Sequence, residues 1–84
     1  MKALWHVLTT DEVKLSEELA NLDAQEHRLE TKIRMAKHRQ RYLDNPEDVA
    51  RAIEDEQALV AKLDQLMTRI RAVEGRLSLI RDSA

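Results

Sequence analysis

RYLDNPEDVARAIEDEQ, residues 41–57, contains the single proline of an 84-residue chain and decides how that chain is divided. The side-chain oxygen of Asn45 suits the free backbone N–H groups at the start of a helix. Pro46 fits the first helical turn, where its missing N–H has no intrahelical partner to lose, and Glu47 and Asp48 favour the positive end of the helix dipole. These start signals coincide within four residues, so the stretch predicts a turn over 44–46 and a second helix over 46–81.

Upstream, Thr9 and Glu12 have the spacing of a capping box, with Leu8 and Val13 at the staple positions. Helix 1 is therefore predicted over 9–43, after an N-terminal arm over 1–8. Leu15, Leu22, Leu29, Ala36 and Leu43 recur every seven residues. Leu19 and Ile33 supply part of the companion column, which Glu12, Glu26 and Gln40 dilute. In helix 2, Gly75 weakens the last turns, but apolar spacing continues through Leu77 and Ile80, so the helix is expected to run on and fray before a tail over 82–84. Trp5 and Tyr42 are the only aromatic residues and Gly75 the only glycine, which leaves little material for sheets. The predicted fold is all-α: one domain, an antiparallel two-helix hairpin of coiled-coil character, completed to a helical bundle by a second copy or a partner protein.

Completion is expected because the two apolar faces are unequal. In helix 2, Val49, Leu63, Ile70 and Leu77 form one column, Ile53, Val60 and Met67 a second, and Ala52, Leu59, Leu66, Val73 and Ile80 a third. Three adjacent columns make a stripe wider than one helix covers. Burying a Leu, Ile or Val is worth roughly 1.5–3 kcal/mol, a large sum to forgo in a small domain. The expected protein interface is Trp5, Leu59, Val60, Leu63, Leu66, Met67, Ile70, Val73, Leu77 and Ile80. Trp5 has two readings, as an anchor in a partner pocket or as a lid folded back on the open end of the hairpin.

Charge is abundant but balanced: 36% of residues are charged, with a net charge of −2. That balance gives no global attraction to nucleic acid or to an acidic membrane. Each helix opens acidic and closes basic, which complements its own dipole and favours an antiparallel pair. Glu26, Glu56 and Glu74 are expected to reach Lys62, Lys32 and Lys14 across the hairpin and fix its register. The basic run at residues 32–41 reads as a solvated helix end, since it lacks interleaved aromatic residues.

No catalytic, cofactor or metal signature is read from the residues. There is no cysteine, so thiolate sites are excluded and a reducing, cytoplasmic setting fits. His27 and His38 stand about 16 Å apart along a helix, too far to share an ion. The apolar opening MKALWHVL is short and broken by His6, so no export signal or membrane span is expected. The chain is accordingly expected to be a non-catalytic interaction module, with a self-associating four-helix bundle as the alternative.

Two resemblances extend this reading. The basic helix followed by LDNPEDVARAIEDE, residues 43–56, resembles the small helical chorismate mutases, which would assign pocket roles to Arg28, Lys37, Asp48, Arg51 and Glu54 or Asp55. The sequence departs from that pattern in lacking an early arginine in helix 1 and a third helix. The two-helix layout, the D/N-P-x corner and the apolar run from Leu59 to Ile70 resemble the small chaperone subunits of bacterial type III secretion needles. That likeness implies a larger repeat-type chaperone as partner and a needle subunit held unpolymerised in the cytoplasm.

Overall fold

The computed structural model describes residues 10–83, and these form two α-helices, α1 (Thr10–Gln40) and α2 (Pro46–Ser83), joined by a short corner. The helices pack against each other along their length as an antiparallel hairpin. The molecule measures 68 × 16 × 15 Å, which is one hairpin thick, so every column away from the seam lies at the surface. The proposed cap Thr9, the staple residue Leu8 and the arm with Trp5 lie outside the described residues.

The corner forms as its residues dictate. The Glu47 N–H donates to Asn45 Oδ1 at 2.9 Å, and the Val49 N–H donates to the Asn45 carbonyl at 3.0 Å, the first turn of α2. Helix 1 stops three residues before its predicted end. The N–H groups of Arg41 and Tyr42 donate to the carbonyls of His38 and Arg39 at 3.2 and 3.1 Å, a tightened final turn. Leu43 and Asp44 then lead non-helically into Asn45, whose position before proline disfavours helical geometry. Across the corner, the half-buried Gln40 donates from Nε2 to the Ala52 carbonyl at 3.4 Å, tying the two helices together. Asn45→Ala removes the cap and is expected to cost about 1 kcal/mol; a thermal melt followed by circular dichroism would register it, and an unchanged midpoint would show that the cap is dispensable.

Helix 2 is longer than predicted, because Asp82 and Ser83 remain helical and Ser83 Oγ donates to the Leu79 carbonyl at 2.7 Å. Gly75 lies within it without positive φ, on an exposed surface with no neighbour near the position of a Cβ.

The seam is built from the heptad columns. Leu22, Leu66, Ile70, Val73 and Leu77 form the main core, with Leu15, Leu19 and Leu29 packed against it. Ile33, Ala36 and Ala52 are buried nearer the corner. Glu12 is also buried in the companion column, at 1% exposure, and it is not without a partner.

Candidate protein interface

Two of the three apolar columns of α2 are consumed by the hairpin. Leu66, Ile70, Val73 and Leu77 are buried against α1, so these four, expected at an outer interface, belong to the internal seam. Ile70, Val73 and Leu77 are out of reach of a partner unless the hairpin opens, while Leu66 keeps an edge at the surface, at 9% exposure. Leu59, Leu63 and Ile80 are half-buried along the same seam, and Met67 is half-buried beside it. The third column is what α1 leaves uncovered: Ile53 and Val60 are each 39% exposed, and Met67 continues the line. A single helix covers the a and d columns of its neighbour and only brushes the next one, which accounts for this division.

The rim of that column is acidic. Glu74 follows Met67 by seven residues on the same face, and Glu26 of α1 feels its charge. Partial burial, a side-chain hydrogen bond with Glu30, and the charges of Glu30, Asp23 and Glu74 together raise the pKa of Glu26 above the usual 4.5. The expected Glu26–Lys62 pair is not formed, and Glu26 instead feels the like charges of Glu30, Asp23 and Glu74. Lys62 is elsewhere: Val60 and Lys62 are about 200° apart around the helix, on opposite flanks of the seam.

The opposite flank is a groove of reversed sign. One part, of about 480 Å³, is lined by Gln25, Arg28, Leu29, Lys32, Lys62, Gln65 and Leu66. A second, of about 370 Å³, lies toward the corner and adds Met35, Arg39 and Leu59, with Asp55 as its one acidic residue. Lys32 therefore lines the groove with Lys62 in both parts. Seven residues beyond Lys62, Arg69 donates from Nε to Glu18 Oε1 at 2.8 Å, with a second bond from the same guanidinium to that oxygen. This is the expected contact of the acidic start of α1 with the basic end of α2. Its side chains are 51% and 34% exposed, so its contribution to stability is small, about 0–1 kcal/mol.

A third apolar area lies on the outside of the hairpin where α1 runs into the corner, and there Met35 and Tyr42 are 60% and 71% exposed. The Tyr42 ring meets His38 at a centroid distance of 4.8 Å and a tilt of 56°. The pocket residues suggested by the chorismate mutase resemblance do not converge. Arg28 and Asp55 line different parts of the groove, and Lys37, Asp48, Arg51 and Glu54 are exposed on the surface. Among the described residues, no cluster of three or more His, Cys, Asp or Glu could hold a metal ion, and no helix is long and apolar enough to cross a membrane.

The basic groove is not one run in the sequence, because its cations are divided between the two helices. The signal was present in the seven-residue spacing of Lys32 and Arg39 on α1 and of Lys62, Arg69 and Arg76 on α2. No protein-family model matches the chain, and neither a curated protein nor a solved structure matches it.

Proposed function

We propose that the hairpin is a non-catalytic interaction module, an adaptor or chaperone subunit that receives a partner helix along Ile53, Val60 and Met67. The observation that carries this reading is the apolar column left open after the seam has closed. A helix laid there would turn a two-helix rod into a three-helix bundle and cover the side chains that α1 does not reach. The small secretion-needle chaperone subunits offer a concrete form of this role, in which the hairpin joins a larger helical partner in the cytoplasm. A two-fold dimer through the same face is disfavoured on charge, since it would set the rim of Asp23, Glu26, Glu30 and Glu74 against its own copy.

Co-expression with the products of neighbouring genes, followed by co-purification through a tag on the hairpin, tests the reading. Ile53→Ser combined with Val60→Ser is expected to reduce the recovered complex at least about tenfold, the effect of losing roughly 1.4 kcal/mol or more of apolar contact. Leu79→Ser, at a 70% exposed position off that face, should leave recovery unchanged. Undiminished recovery with the double variant, or a chain that sediments alone as a tight dimer, would rule against it.

A further inference from the structure

Lys32 and Lys62 line one groove from different helices with Arg28 beside them, and the groove from Gln25 to Leu66 contains no carboxylate. Toward the corner Arg39 adds a fourth cation against the single Asp55. The chain as a whole is net negative, so this flank is a local reversal of sign rather than a share of a general basicity. The groove is not a purely electrostatic surface either. Leu66 is buried beneath it, and Leu29 and Leu59 are half-buried along it.

We propose that this groove is a second docking surface, which takes an acidic amphipathic helix of a partner protein, so that the hairpin is held between two partners on opposite flanks. The lining from Gln25 to Arg39 spans about 21 Å of α1, or four helical turns. An incoming helix of that length would set apolar residues on Leu29, Leu59 and Leu66 and aspartates or glutamates on its two edges. Those carboxylates would meet Arg28, Lys32, Arg39 and Lys62, while Gln25 and Gln65 would supply neutral donors.

Charge complementarity selects this occupant over two others. A nucleic acid would use the cations but not the leucine floor, and no aromatic side chain lines the groove for base stacking. A second copy could offer its own acidic flank, yet that contact joins unlike faces and leaves an unpaired face at each end of the stack. The proposal does not depend on the Ile53 face, which lies across the seam.

The test uses the full chain and two labelled helical peptides of about 21 residues, three heptads with leucine at the core positions, flanked by glutamate in one and by lysine in the other. Fluorescence anisotropy at low salt is expected to show the glutamate peptide binding at least about tenfold more tightly, with the advantage shrinking as salt is raised. Lys32→Glu combined with Lys62→Glu should reverse the preference while circular dichroism shows the helical content retained. Ile53→Ser combined with Val60→Ser should leave glutamate-peptide binding intact, which separates this site from the first. The proposal is overturned if neither peptide binds or both bind equally. It is equally overturned if an oligonucleotide displaces the glutamate peptide through the same lysines, or if sedimentation shows the chain stacking on itself in a manner that Lys32→Glu abolishes.

Discussion

Val73→Asp is expected to unfold the isolated hairpin. Val73 is 0% exposed at the centre of the cluster formed with Leu22, Leu66, Ile70 and Leu77. A carboxylate placed there has no cation within the apolar seam, and an unpaired buried charge costs several kcal/mol. Whole domains are held by only about 5–15 kcal/mol, and this one has a seam rather than a three-dimensional core. Far-ultraviolet circular dichroism at 25 °C should show most of the helical signal lost, because long helices of mixed composition depend on packing to persist in water. Leu79→Asp, at an exposed position on the same helix, should keep its helicity. If the Val73 variant melted cooperatively near the wild-type temperature, the seam described above would not be what holds the helices together.

Glu26→Leu is expected to act in the opposite direction. Glu26 occupies a seam column between Leu19 and Ile33, half-buried and subject to the like charges of Glu30, Asp23 and Glu74. Leucine would continue the column and remove a carboxylate that sits among like charges, raising Tm by on the order of 10 °C. The pH dependence has a defined sign. Because the folded-state pKa of Glu26 is raised above its unfolded value near 4.5, the folded chain binds that proton more readily than the unfolded one. The penalty is therefore fully present above the folded pKa, is relieved as pH falls through it, and is gone below the unfolded value. A Glu26→Gln variant should accordingly melt above the wild type at pH 7, with the gap closing as the pH falls toward 4.5 and below. A gap that is constant with pH, or that widens on acidification, would mean the carboxylate is not disfavoured in the fold.

The hairpin was legible because its signals are local and redundant. Asn45 and Pro46 mark the corner, and the leucines of α1 keep a strict seven-residue spacing, so the class of fold and the start of α2 follow directly. The end of α1 at Gln40 was not legible, because Leu43 continues the apolar spacing while the residues around the turn obey the geometry imposed by Asn45 and Pro46. The three apolar columns of α2 are visible in the sequence, but three columns do not announce which two will close the seam. That choice depends on the side from which α1 approaches, a tertiary fact. The like charges of Asp23 and Glu30 stand three and four residues from Glu26 on its own helix and were legible in the sequence, whereas the charge of Glu74 reaches it only through the pairing of the two helices.

The bulkiest interior side chains lie away from the corner: Leu22 of the first helix is clustered with Leu66 through Leu77 of the second, whereas the buried residues close to the bend include only alanines and Ile33. The contacts worth most are therefore those separated by the longest stretch of chain. A nascent polypeptide that has bent at Asn45 has gained little, and it must close a loop of several tens of residues before the large leucines meet. Assembly of this small rod is thus expected to be limited by the joining of its far ends rather than by the formation of its bend.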